Sequence, residues 1–242
     1  MEPDWGIEGT RSVREVLPQF LELLDELDAG ATFFVVSDLL EDCAGVLRRT
    51  AEKHEIGSHG VSHDRFDEMS RPRLLHELEE SRRRLEQELG SAVRGLRAPF
   101  LARPPGWFRW VRRAGYSYDS SVGSVYPSPQ NMPAWRWGPS RQEGVLELPP
   151  TTLVTGLVPF SLTYLRLMAP LGAALAPRRG GVLYLHLHEL ADPDLSELLP
   201  PPLRWALRHG AGRTAWKTLR GLLEGWPGPV TSCSDWLESH GL

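Results

Sequence analysis

Ala31-Thr32-Phe33-Phe34-Val35-Val36 is the stretch that decides the fold. It is rich in β-branched and aromatic residues and lacks apolar–polar alternation, which predicts a parallel strand buried on both faces. Helical patterns flank it. Upstream, Ser12-Val13-Arg14-Glu15 has the Ser-x-x-Glu form of a capping box, and Val13, Val16, Leu17, Phe20, Leu21, Leu24 and Leu27 follow helical spacing. Downstream, Asp38 is placed to cap a helix carrying Leu39, Leu40, Val46 and Leu47. Glu55-Ile56-Gly57-Ser58 then reads as a second short strand.

The alternation continues along the chain. Ser70 is expected to cap a long helix stopped by Gly90, and residues 93–97 form the next strand pattern. Pro104 and Pro105 open a helix that Gly115 closes. Residues 116–119, 145–148 and 182–187 are further strands, and helix-like stretches begin at Leu203, Thr214 and Ser234. Strands alternating with helices predict an α/β fold with a parallel sheet. His59, Arg97, Asp119, Glu147 and His186 fall at the C-terminal ends of different strands, where barrel-type α/β folds gather their chemistry. That favours one closed or nearly closed barrel over an open doubly wound sheet. No Gly-x-Gly-x-x-Gly or phosphate loop supports nucleotide binding.

Bulk composition excludes several classes. The 242 residues suffice for one large α/β domain, and 1–242 is taken as a single domain. With 24% charged residues and a net charge of −4, there is no electrostatic case for nucleic acid. Only Lys53 and Lys217 among the 27 basic residues are lysine, a bias that suggests GC-rich coding DNA. Cys43 and Cys233 fit no metal or redox spacing and read as free thiols. No apolar N-terminal run suggests a signal peptide, so a cytoplasmic location is expected. The most apolar segment, 161–176, carries Arg166 and Pro170 and is too short to span a membrane; a packed helix is favoured over a membrane-surface helix.

The chemistry gathers around Gly57-Ser58-His59-Gly60-Val61-Ser62-His63. Two histidines four apart can reach one divalent ion if the residues between them make a tight turn. Such an ion needs about three protein ligands and an open position for water. Tyr184-Leu185-His186-Leu187-His188-Glu189 places two imidazoles on one side of a strand, for as long as the strand lasts. Imidazole suits proton transfer near neutral pH. Glu147 and Asp119 are candidate acids to orient such a ring, and Trp135 and Trp137, in a Pro-rich loop, are candidate sugar-stacking rings.

Together with Arg97-Ala98-Pro99-Phe100 and Leu185-His186, the histidine segment resembles the signature set of the polysaccharide deacetylases, the NodB-like carbohydrate esterases of family 4. The resemblance covers about residues 1–190. It implies a distorted (β/α)7-type barrel, one divalent metal ion (Zn2+ foremost, Co2+ or Mn2+ as alternatives) and hydrolysis of N-acetyl groups on an amino sugar. The substrate it implies is an N-acetylated glycan or lipid-linked sugar. In it His59 and His63 are metal ligands, Arg97 orients the catalytic carboxylate, and His186 is the general acid, with His188 as its alternative. Met1-Glu2-Pro3-Asp4-Trp5-Gly6 resembles the Asp-Val-Glu-x-Asp-Trp variant of the first motif, with Glu2 as the third ligand and Asp4 as fallback. In that alignment the catalytic aspartate falls one residue before Met1. The expectation is therefore a truncated first strand, explained by a misassigned initiation codon. Two other readings stay open: a non-catalytic metal- and glycan-binding barrel, and an amidase for a small cyclic amide.

Overall fold

The computed structural model describes residues 9–122, 138–153, 158–168, 181–191, 205 and 208–242. The chain divides into two compact units. One comprises Met1–Ala29 with Thr151–Val230, the other Gly30–Pro150 with Thr231–Leu242.

The second unit holds a six-stranded sheet in the order β1-β2-β3-β4-β6-β5. Its strands are β1 (Thr32–Val35), β2 (Glu55–Ser58), β3 (Gly95–Leu96), β4 (Tyr118–Asp119), β5 (Ser140–Gln142) and β6 (Val145–Glu147). All pairings are parallel except the β5–β6 hairpin. That hairpin turns on Glu143 and Gly144, both at positive φ (50° and 89°), as a tight two-residue connection requires. The registers join Val35, Ser58, Leu96, Asp119 and Glu147 into one row across five strands. His59, Arg97 and Ser120 follow immediately on three of them. The predicted clustering at the C-terminal strand ends thus holds for His59, Arg97, Asp119 and Glu147.

Helices α3 (Leu40–Ala51), α4 (Arg71–Leu89) and α5 (Trp107–Arg113) form the crossovers, and α8 (Cys233–Ser239) returns to the sheet. The structure corrects three local expectations here. β1 is half-buried, not covered on both faces, because it is the outermost strand of the order. Asp38 lies in a 3-10 turn (Ser37–Leu39) and pairs with Arg84 instead of capping α3. Ser70 occupies the N-cap position of α4 but its hydroxyl makes no cap hydrogen bond. Gly90 ends α4 in the left-handed conformation as expected (φ 67°).

The first unit contains α1 (Gly9–Glu15), α2 (Leu17–Glu26), an antiparallel pair β7 (Thr152–Leu153) and β8 (Val158–Pro159), α6 (Leu162–Leu167) and α7 (Arg213–Glu224). Phe160, Leu165 and Leu222 form a core cluster with Met168, Leu183 and Trp226 packed against it. Ser12 sits inside α1 and is no cap; the helix breaks before Pro18, whose ring and missing N–H forbid one continuous helix. Residues 182–187 are not a strand. Among the described residues they form only an isolated bridge between Ser161 and Tyr184, and Leu187–Glu189 is a 3-10 turn. The Glu189 carboxylate takes the His186 N–H at 2.9 Å, which commits the chain to the turn. Among the described residues no helix is long and apolar enough to cross a membrane.

Candidate active site

In the sheet-bearing unit the His59 and His63 ring centroids are 5.1 Å apart. His59 Nδ1 lies 2.6 Å from the Arg97 carbonyl oxygen. A carbonyl only accepts, so Nδ1 carries the proton and Nε2 of the neutral ring is the lone-pair nitrogen. Metal-binding histidines are oriented in this way, the other ring nitrogen donating to a backbone carbonyl. The His63 ring packs at 4.8 Å on Phe100. Phe100 and Leu101 both have positive φ (56° and 55°). Non-glycine residues hold that conformation at a cost of about 1–3 kcal/mol each, a kind of strain that concentrates at functional sites.

Arg97 is fixed by the end of β4. Its Nε donates to Ser120 O (3.0 Å), its Nη2 to Ser120 Oγ (2.7 Å), and its guanidinium lies 4.4 Å from the Phe34 ring centroid. Ser121 Oγ accepts from the Ala98 N–H (2.8 Å) and donates to Asp119 Oδ1 (2.5 Å). The Arg-Ala-Pro segment is thus bolted to residues 119–121 by two serines that the sequence reading passed over. Asp119 Oδ2 accepts from Trp107 Nε1 at 2.8 Å. Glu147 Oε1 accepts from the Val122 N–H at 2.9 Å. Burial, and next the neighbouring Asp119 charge, push the Glu147 carboxyl well above the usual range.

His186 belongs to the other unit and is exposed there. Its ring stacks on His188 at 5.1 Å with 17° between the planes. Burial, with the His186 charge second, lowers His188 to about 4. Sequence reasoning assigned no role to Glu189 or Arg166. Glu189 Oε2 is 3.8 Å from His186 Nδ1, its other oxygen binds Thr163 Oγ1, and Arg166 Nε stands 3.6 Å away. Burial would raise Glu189, but bonds and charge from His186 and the Thr163 hydroxyl outweigh it and hold the carboxylate at about 2. The acid beside His186 within its own unit is therefore Glu189. The signal available was the i,i+3 spacing of His186 and Glu189.

Glu2, Asp4, Trp135 and Trp137 lie outside the described residues. Among the described residues no set of three His, Cys, Asp or Glu side chains converges on one point. The pair His59 and His63 still fits a divalent ion as two of its ligands, by donor chemistry and by the fixed tautomer of His59.

Residues 6–118 match the polysaccharide deacetylase family model. Over 96 residues the chain is 26% identical to the uncharacterized protein YlxY of Bacillus subtilis (strain 168), a stretch that is 39% of this chain and 28% of that relative. A Mycobacterium smegmatis protein classed as a polysaccharide deacetylase superposes with a TM-score of 0.61 at 20% identity, over 97% of this chain and 78% of the other. PuuE allantoinase gives 0.60 at 20% identity, over 96% and 75%. BA3943 of Bacillus anthracis, a CE4 family pseudoenzyme, gives 0.56 at 13% identity, over 95% and 61%. At these identities the superpositions carry the fold. Over residues 6–118 the chain therefore bears the sequence pattern of the polysaccharide deacetylases, on the mixed α/β fold, with its mostly parallel sheet, that the solved proteins share.

Proposed function

We propose that this protein is a metal-dependent hydrolase that removes N-acetyl groups from an amino sugar of a cell-surface or exopolysaccharide, or of its precursor. The observation that carries the reading is the His59–Arg97 hydrogen bond, which links the two most specific motifs and presents the Nε2 lone pair of His59 beside His63. His59 and His63 hold one divalent ion, with Glu2 of the first motif as third ligand. Imidazole and carboxylate donors suit Zn2+, and Co2+ or Mn2+ less commonly. The ion supplies Lewis acidity toward water and toward the acetyl carbonyl. Arg97, held by Ser120 and Phe34, sets a fixed positive charge at the strand ends, in the position that the resemblance gives to the residue orienting the catalytic aspartate. His186 gives the Nε2 proton to the departing amine while Glu189, near Nδ1, keeps the ring in register.

A second reading is a non-catalytic glycan-binding protein, favoured by the Arg97 guanidinium being bound to Ser120 through two of its nitrogens and by the likeness to a pseudoenzyme. Acetate release from N-acetylglucosamine oligomers by the Zn2+-loaded protein separates them. Release that is abolished in His59→Ala supports the hydrolase. Glycan binding without release supports the second reading, and turnover only of a cyclic ureide reassigns the substrate.

A further inference from the structure

The buried face of α4 carries two polar groups one turn apart, Glu77 and Ser81, among Leu74, Leu78 and Leu85. Glu77 is 5% exposed. A carboxylate buried to that degree costs several kcal/mol unless its oxygens are hydrogen-bonded. Three hydrogen bonds offset the cost, and all come from one loop. Oε2 accepts from the N–H groups of Val61 (2.9 Å) and Ser62 (3.1 Å), and Oε1 from Ser62 Oγ (3.2 Å). On the carbonyl side, Gly60 O and Val61 O accept from the N–H groups of Ser37 (2.9 Å) and Asp38 (3.2 Å). Ser81 Oγ meets Ser58 Oγ at 2.8 Å, and Ser58 Oγ takes the Gly60 N–H at 3.3 Å.

Gly60, Val61 and Ser62 are the three residues between His59 and His63. They lie in no helix or strand, and Gly60 has a φ of +89°. This clamp fixes the path of the backbone between the two imidazoles, beside the Arg97 carbonyl that holds His59 and the Phe100 ring that packs on His63. We propose that Glu77 is a positioning residue for the histidine pair, holding His63 at the distance from His59 that one divalent ion requires. The inference rests on the reading of His59 and His63 as ligands of that ion.

Calorimetric titration of the full chain with Zn2+, in competition with a chelator, tests it, with thermal unfolding recorded on the same samples. Loss of a group that orients metal ligands typically weakens affinity by about 10–100-fold. Glu77→Ala is expected to fall in that range, and Glu77→Gln to recover most of the affinity, since its amide oxygen still accepts from both backbone N–H groups. Rescue by Gln at unequal melting temperatures marks positioning, which a purely stabilising role would not produce. If Glu77→Ala does not fold, Glu77→Asp carries the test: its carboxylate is one methylene short of the loop, and Zn2+ affinity should fall about tenfold. Wild-type affinity in folded Glu77→Ala or Glu77→Asp overturns this inference and leaves the metal reading standing. A wild-type chain that binds Zn2+ no better than His63→Ala overturns both.

Discussion

Asp119 and Glu147 stand opposite each other at paired positions of adjacent parallel strands, both essentially inaccessible to solvent (0% and 2%). Among the described residues no N–H or O–H donates to Glu147 Oε2, and the Asp119 carboxylate lies beside it, so the neutral acid is much the cheaper form there. The folded state thus keeps Glu147 protonated where the unfolded chain ionises it.

The sign of the pH effect follows. Above about pH 4.5 the unfolded state binds fewer protons at this site than the folded state, so Glu147 makes stability fall with rising pH, by up to about 1.4 kcal/mol per unit. Glu147→Gln removes that slope. Its advantage over wild type in urea unfolding should grow as the pH rises above about 4.5, and an advantage that shrinks with pH would refute the assignment.

His188 and Glu189 act in the opposite sense. Their folded values, about 4 and about 2, lie below the ordinary 6.5 and 4.5, so the unfolded chain binds more protons in acid. Stability from His188 is complete above pH 6.5 and lost as pH falls through 4; that from Glu189 is complete above 4.5 and lost toward 2. His188→Phe should flatten wild-type acid unfolding between pH 6.5 and 4 and leave the lower limb in place, as circular dichroism at stepped pH will read.

The same depression disfavours His188 as the proton donor. A ring that stays neutral down to about pH 4 is scarcely populated as imidazolium near pH 7. His186→Gln is expected to lower kcat on an N-acetylglucosamine oligomer by roughly 10²–10⁴, with His188→Gln far milder. Equal losses in the two variants would contradict this.

Arg166 and Glu189 are both fully buried. Removing one partner of such a pair leaves an uncompensated charge and costs about 3–5 kcal/mol. Arg166→Met should destabilise by that amount in chemical denaturation, and Arg166→Met with Glu189→Gln should regain much of it. A loss in the single variant below about 1 kcal/mol, the range of exposed pairs, would mean that water reaches the site.

Strand-ending motifs were legible because periodicity and glycine placement are local: β2, α4 with its Gly90 stop, and the row of His59, Arg97, Asp119 and Glu147 all follow from neighbours in sequence. The partners that fix those residues were not. Ser120 reaches Arg97 across 23 residues and Glu77 reaches Val61 across 16, and neither pattern has a periodic signature. The strand pattern expected at 182–187 stops at His186 because a single carboxylate three residues beyond it takes its backbone N–H, a choice that apolar pattern does not register. Glu77 did leave one trace, an ionisable residue on a helical face whose other buried positions are three leucines and a serine.

Thr32 Oγ1 receives the Cys233 N–H at 2.8 Å, and Glu55 Oε2 receives the Ser234 N–H at 3.0 Å, a contact spanning 179 residues. The outer margin of the histidine-bearing sheet is thus sealed by α8, whose residues follow the whole of 151–230 in the chain. During synthesis, β1 to β6 must wait with that margin unsealed while some eighty further residues are added, at about 5–20 residues per second. A nascent chain halted at Pro150 would hold both histidines and Arg97 yet leave the Thr32 and Glu55 acceptors facing solvent, a form open to chaperone capture or edge-to-edge association for several seconds in every round of translation.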